Sequence, residues 1–439
     1  MQISIFYVME RKILNEFLNW KSSKKEECLL VKGARQIGKT YTIEEFGKKH
    51  YKSGITLNFF EKPELKDIFA NELSADLILK NISLYLPDFK FIENHTLLFL
   101  DEIQECPQAR TALKFLAQDS RFDCIASGSM LGISYKELAS IPVGYERQIE
   151  MFSMDFEEFL WAKGIDKSLI EFVREFYLNK TKIPPNINET MFKYLKEYMV
   201  VGGMPEVVKT FAETENFAEV HKVQQKILNS YLDDIAKYAP VPEKPKARNC
   251  FLSIPKQLAK ENKKFQFSHV EKNGSARKYE NSLEWLRDAG LIKFCENVSL
   301  PAFPLNAYSK ENWFKIYFMD IGMLTAMYGF EMKQAIIKNT LLGYAKGGIY
   351  ENLIADILSK KNIPLYFYKP ENNAQEIEFL LTQETNIIPI EVKSGNNATV
   401  SLNKFIEEFS PPQAIKFVTG NLGIAESKVT LPLYMAMFL

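Results

Sequence analysis

The chain has no CxxC pair, no cluster of histidines, no long apolar run and no excess of either charge. Its five cysteines, Cys28, Cys106, Cys124, Cys250 and Cys295, are scattered and odd in number. That argues against a disulfide framework and a zinc site, and it fits a reducing cytoplasm. His50, His95, His221 and His269 do not gather either. No stretch approaches the roughly 18 apolar residues of a membrane-spanning helix. The first residues, where Glu10 and Arg11 follow a short apolar start, lack a signal-peptide pattern. A cytoplasmic chain without a membrane partner is therefore expected. Lysine plus arginine equals aspartate plus glutamate at 55 each, so no global field points to nucleic acid, and any basic face must be local. There is no internal repeat and no low-complexity tract.

What is present begins at Cys28. An apolar run, Cys28 to Val31, leads into Gly33-Ala34-Arg35-Gln36-Ile37-Gly38-Lys39-Thr40 and then into a helix-forming segment. The spacing GxxxxGK[ST] is that of a phosphate-binding loop. Its glycines let successive backbone N–H groups face a phosphate at the positive end of the following helix. Lys39 would reach the β- and γ-phosphates of a bound nucleotide, and Thr40 would hold Mg2+. A glycine turn between strand and helix is the plain alternative.

Further on, Thr96-Leu97-Leu98-Phe99-Leu100 ends in Asp101-Glu102, a buried strand with two carboxylates at its tip. In nucleotide hydrolases of this layout the first carboxylate helps hold Mg2+ and the second polarises water, which gives those roles to Asp101 and Glu102. A strand ending in a solvated turn is the competing reading. No NKxD motif follows, which tilts the nucleotide toward ATP.

At 439 residues the chain is long enough for about two to four domains. Strands expected at Cys28–Val31, Ile55–Phe59, Leu97–Leu100, Asp123–Ser127 and Gln148–Met151 alternate with helices, the pattern of a parallel sheet covered by helices. Long helical stretches follow to about residue 240, then Pro240 to Lys246 as a linker or helix break. Helices at Ile254–Asn262 and Ala276–Ala289, a strand at Leu291–Glu296 and aromatic-rich Pro301–Tyr308 suggest a winged-helix unit. Its Lys272, Arg277, Lys278 and Arg287 suit phosphates, though a solvated helix face explains them equally.

From Gly347 the expected order is helix Ile349–Lys360, strands Leu365–Lys369, Glu376–Leu381 and Ile387–Val392, helix Leu402–Phe409 and strand Ala414–Thr419. Strand side chains alternate faces, so Glu391 and Lys393 point the same way. Glu378 in the neighbouring strand, Glu391 with Lys393, and Glu351 from the helix can gather around one Mg2+, as in metal-assisted phosphodiester cleavage. Internal ion pairs or a solvated sheet face account for the same charges.

Taken together the residues resemble the bacterial and archaeal AAA-type ATPases that carry a C-terminal domain of unknown function with a nuclease-like fold. Besides the loop with its Arg35-Gln36, the matching segments are Leu100-Asp101-Glu102-Ile103-Gln104, Ala126-Ser127-Gly128-Ser129, Ile141-Pro142-Val143-Gly144-Tyr145 and Met154 to Leu160. Gly202-Gly203-Met204-Pro205-Glu206, Tyr231-Leu232-Asp233-Asp234-Ile235 and Lys315 to Asp320 continue the series.

The resemblance implies an α/β chain: an AAA-type P-loop parallel-sheet domain (1–160), a helical lid (161–245), a winged-helix segment (246–330) and a C-terminal α/β restriction-endonuclease-like domain of PD-(D/E)XK type (331–439). It implies a nucleotide site of Gly33, Arg35, Gly38, Lys39, Thr40, Asp101, Ser127 and Ser129, with ATP and Mg2+ as cofactors. Ser127 or Ser129 takes a sensor role toward the γ-phosphate, and Arg147 that of an arginine finger. Relatives commonly carry aspartate where this chain has Glu378. The extra methylene moves the carboxylate outward by about 1.5 Å, one C–C bond, enough to disturb octahedral Mg2+ coordination.

Three readings follow: an ATPase whose C-terminal module recognises nucleic acid or another macromolecule, an ATP-dependent metal nuclease, and a nucleotide-gated protein-interaction switch with an inactive nuclease-like domain. The partner and the oligomeric state stay open.

Overall fold

A computed structural model describes residues 9–23, 26–129, 144–371, 375–393 and 400–439. Of the quoted segments, Ile141-Pro142-Val143 lies outside these. The described residues form two compact units, one within 11–152 with 288–290, the other within 9–10, 153–287 and 291–439. The boundaries expected near 245 and 330 both fall inside the second unit.

In the first unit, β1 (Cys28–Gly33), β2 (Ser53–Asn58), β3 (Thr96–Asp101), β4 (Asp123–Ser129) and β5 (Glu146–Glu150) form one sheet in the order β2-β3-β4-β1-β5. Every neighbouring pair is parallel. Central strands of such a sheet are covered on both faces and so read as unbroken apolar runs. Accordingly β3 is buried at all six positions, and β1 at Cys28 to Val31. Helices Lys39–His50, Ala75–Tyr85 and Pro107–Ala117 connect the strands. Leu30, Leu98, Leu100, Ala126 and Cys124 pack with Leu113 and Leu116 of the last helix in one apolar cluster. The sheet delivers the ends of β1, β2, β3 and β4 to one edge, where ligands of open α/β sheets sit.

The second unit holds β6 (Ile292–Val298), β7 (Ser309–Phe318), β8 (Tyr366–Tyr368), β9 (Ile377–Gln383), β10 (Asn386–Val392), β11 (Ala414–Val418), β12 (Gly423–Ala425) and β13 (Lys428–Pro432) in one sheet of order β12-β13-β11-β10-β9-β8-β6-β7. The strand expected at Leu291–Glu296 as part of a winged-helix ribbon is β6; it pairs with β7, which starts only at Ser309, and in parallel with β8, and so extends the C-terminal sheet. Helix Gly343–Lys360 is buried continuously from Gly348 to Ser359, as a helix surrounded by protein must be.

The segment Pro240–Lys246, expected as a linker or helix break, contains a break: helix Phe217–Tyr238 ends before it and helix Lys244–Leu258 begins within it, and of the helix expected at Ile254–Asn262 only Ile254–Leu258 is helical, as the end of that helix. Pro245 falls in the first turn, where the missing N–H has no intrahelical partner to lose. Composition alone reads that proline as a break.

Several motifs of the sequence series meet at one buried polar cluster of the second unit. Asp320 caps helix Ile321–Tyr328, its Oδ1 accepting from Gly322 N (3.0 Å) and Met323 N (3.2 Å). Its Oδ2 accepts from the Ser153 hydroxyl and the Gly203 amide, both at 2.8 Å, and from Lys360 Nζ at 3.4 Å. Lys360 also donates to Asp356, to the Met154 carbonyl (3.1 Å) and to Tyr198 Oη (2.9 Å). A Cβ on Gly203 would stand 1.9 Å from the Met154 carbonyl oxygen, and one on Gly322 2.3 Å from that of Val201. These glycines permit backbone to touch backbone. Burial pushes the Asp356 carboxyl up to about 7, with Lys360 opposing and the Asp320 charge adding to the rise.

Candidate nucleotide site

The loop between β1 and helix Lys39–His50 is shaped by its sequence. Gln36 and Gly38 take positive φ (65° and 89°), the left-handed region that glycine enters at no steric cost. A Cβ on Gly33 would lie 2.3 Å from the Met151 carbonyl oxygen, so that close approach also requires glycine. Lys39, the first helical residue, is nearly buried at 6% exposure. Its ammonium folds back over the loop to the carbonyls of Gly33 (3.0 Å) and Ala34 (2.8 Å). Burial lowers the Lys39 pKa to about 8 against the pull of Glu102 and Asp101, and the Arg35 charge adds to the lowering.

Asp101 ends β3 at 1% exposure. Its Oδ2 accepts from Thr40 Oγ1 at 2.9 Å and from Asn58 Nδ2 at 3.0 Å, and its Oδ1 from the Ser127 hydroxyl. The register explains the meeting: Asn58 lies opposite Asp101 across β2 and β3, and Ser127 opposite Val31, and Ser129 opposite Gly33, across β4 and β1. One residue on, Glu102 leaves the strand in a left-handed conformation (φ 52°) and accepts from Gln104 Nε2. Gln104 Nε2 also lies 3.4 Å from Ser129 Oγ.

Sequence reasoning assigned no role to Asn58 or to Gln104. A polar residue ending an otherwise half-apolar strand beside the carboxylate strand is the signal that points to Asn58. Gln104 stood in a quoted segment but without a function.

Arg35 reaches the site through its charge on Lys39. Arg147 does not join it within this chain. It lies opposite Leu29, four residues down β1 from Gly33, or about 13 Å at strand rise, and pairs with Glu27 at 2.5 Å.

The residues present fit a nucleotide with its magnesium ion. A hydroxyl and a carboxylate, both hard oxygen donors, stand within 2.9 Å of each other at Thr40 and Asp101, the ligand type Mg2+ takes beside phosphate oxygens. A glycine-permitted loop and a helix start supply N–H donors, and Lys39 supplies the cation.

Residues 25–160 match the AAA domain family. The matched span contains the 33–40 loop, Asp101 and all five strands of the first sheet. Two families of unknown function match later segments, DUF8612 over residues 192–334 and DUF4143 over residues 346–435. An uncharacterized protein of Methanocaldococcus jannaschii is 28% identical over 375 residues, 81% of this chain and 72% of that protein. Among solved structures, the Walker-type ATPase paby2304 of Pyrococcus abyssi is 14% identical, with 73% of this chain and 96% of that chain covered and a TM-score of 0.43. The Aeropyrum pernix Orc1 protein in complex with DNA is 11% identical, with 77% and 97% covered and a TM-score of 0.31.

The second set of predicted residues lies in the other unit. Ile390 pairs with Phe379, which brings Glu391 of β10 beside Glu378 of β9. Lys393 Nζ stands 3.2 Å from a carboxylate oxygen of each. Burial pushes the Glu378 carboxyl up to about 7; Lys393 opposes this, and the charges of Glu351 and Glu391 add to it. Glu391 is likewise raised by burial against Lys393.

Glu351 is held elsewhere, by Lys263 at 2.8 Å, Lys315 at 3.4 Å and the Tyr317 hydroxyl at 3.1 Å. Burial pushes its carboxyl up, but Lys263 and Lys315 outweigh that and keep it below the ordinary value. Glu376 shares Lys315 and pairs with Lys369 at 2.8 Å. Among the described residues no group of three or more histidine, cysteine, aspartate or glutamate side chains is gathered as a metal-holding set.

Proposed function

We propose that this chain binds ATP with Mg2+ at the 33–40 loop and hydrolyses it, and that its nucleotide state governs recognition of a macromolecule by residues 153–439. The single observation that carries the reading is the coordination of Asp101 by Thr40, Asn58 and Ser127, which fixes a carboxylate where a magnesium ion beside a phosphate needs one. The ion, when bound, neutralises charge developing on the phosphate oxygens. The chain's own groups bind and orient. Lys39 exchanges two loop carbonyls for phosphate oxygens, Glu102 is positioned by Gln104 to orient water, and Ser129 at the end of β4 stands by as the sensor hydroxyl. An Arg147 finger would have to act on the site of a second copy. Lys39→Ala tests the assignment: ATP binding and turnover should vanish, and a variant hydrolysing ATP at the wild-type rate would sink it.

A second observation favours recognition over cleavage in the C-terminal part. The carboxylates of Glu351, Glu376, Glu378 and Glu391 are met by the ammonium groups of Lys263, Lys315, Lys369 and Lys393. A divalent cation would have to displace lysines that already neutralise its ligands. We therefore read the PD-(D/E)XK-like region as an ion-paired, non-cleaving module. Of the winged-helix cations, Lys278 pairs with Glu271 and Arg287 with Glu284, which supports a protein partner over duplex DNA. Incubating the chain with Mg2+ or Mn2+ and DNA or RNA should give no cleavage; cleavage abolished by Glu391→Gln would restore the nuclease reading.

A further inference from the structure

The second unit contains a cavity of about 650 Å3 whose walls come from helix Pro185–Val201, the first turns of helix Gly343–Lys360, and Phe217, Ile337, Asn339, Thr419 and Leu433. Its volume falls within the range of about 300–1,000 Å3 typical of small-molecule sites. Three lysines line it, Lys193, Lys196 and Lys346, and among the described residues none of them is ion-paired. Of the two carboxylates in the wall, Glu197 is already neutralised by Lys163 at 2.7 Å, leaving Glu189 alone against three cations. The rest of the wall is aromatic and apolar, with Phe192, Tyr350, Leu195 and Met199 beside the lysines.

The contrast within this same unit is informative. Around Glu351 and Glu378 every lysine has its carboxylate, whereas here the positive charge is left over. Lys196 and Lys346 are half-buried, Lys193 is exposed, and Lys346 Nζ lies 5.9 Å from the centre of the Tyr350 ring; an anion entering the cavity meets three ammonium groups and, in Glu189, one competing carboxylate. An apolar floor with aromatic faces, next to cations and to the amides of Asn188 and Asn339, suits a ligand that is anionic at one end and a flat ring at the other.

We propose that this cavity binds a small phosphorylated aromatic compound of the nucleoside monophosphate class, at a site separate from the 33–40 loop. Lys196 and Lys346 hold the phosphate, and Phe192 and Tyr350 cover the ring. The proposal does not depend on the reading of the loop as an ATP site.

AMP is the probe. Titration calorimetry on the 439-residue chain carrying Lys39→Ala excludes the loop lysine from the signal. One AMP per chain should bind, and adenosine and inorganic phosphate should each bind at least about tenfold more weakly, because each supplies half of the contacts. Lys196→Gln combined with Lys346→Gln, which keeps the side-chain stems and removes the charges, should weaken AMP by at least about tenfold, with an unchanged far-UV spectrum. Should that pair fail to fold, Lys196→Gln alone and the loss of AMP affinity with rising salt provide the same readout. No saturation by about 1 mM AMP, adenosine binding as tightly as AMP, or an affinity indifferent to both lysines and salt would overturn the proposal.

Discussion

Replacing Asp320 with alanine should cost the second unit most of its stability. The carboxylate is fully buried and accepts from five groups: Ser153 Oγ, the amides of Gly203, Gly322 and Met323, and Lys360 Nζ. Removing it strands the Ser153 hydroxyl and the Gly203 amide away from water, at about 1–3 kcal/mol each. The helix Ile321–Tyr328 loses its N-cap, worth about 1 kcal/mol. A charge-assisted bond to Lys360 is lost, about 1.5–3 kcal/mol, although Lys360 keeps Asp356 at 3.0 Å. Relief of like charge on Asp356 returns a part. The net expectation is about 4–8 kcal/mol, against a typical domain stability of about 5–15 kcal/mol.

Asp320→Asn preserves shape and one acceptor oxygen, and should cost roughly half as much. Urea unfolding gives the total, and hydrogen exchange read by mass spectrometry locates it. Exchange should rise in peptides around Gly203 and Gly322 while β3, in the other unit, stays protected. A loss under about 1 kcal/mol for Asp320→Ala, or unchanged exchange at the Gly203 amide, would refute the claim that this carboxylate organises the cluster.

Two further outcomes concern pH. Lys39, held down to about 8 by burial, must carry its proton in the ATP complex, so ATP affinity should be flat below pH 8 and fall by up to about tenfold per unit above it; titrations between pH 7 and 9.5 check this, and an unchanged affinity at pH 9.5 would contradict it. Glu378, at about 7 when folded and about 4.3 when unfolded, is protonated only in the folded state between those values. Its contribution therefore falls as pH rises from about 4 to 7. Glu378→Gln should flatten that decline in melting temperature, and an unaltered slope would show that the carboxyl titrates normally.

Much of the candidate nucleotide site was legible in the chain because its parts are local. A loop of eight residues carries its own geometry in Gly33, Gly38 and Lys39, and a buried strand announces Asp101 by its apolar run. The central strands β1, β3 and β4 were legible for the same reason, since a strand covered on both faces has no polar alternation to blur it, whereas the edge strands β2 and β5 are only partly buried.

What the sequence left undecided are juxtapositions between segments far apart in the chain. Asn58 and Ser127 reach Asp101 only because β2, β3 and β4 lie side by side in a fixed register. Gly203 and Asp320 stand in separate segments of the series and Lys360 at the end of an expected helix until packing closes them into one cluster. The carboxylates Glu351, Glu378 and Glu391 suggested a metal by their spacing. Which cations stand beside them, Lys263 and Lys315 from distant elements and Lys393 next to Glu391, is a matter of tertiary structure, because spacing records which groups can meet and only packing decides which of them share a site.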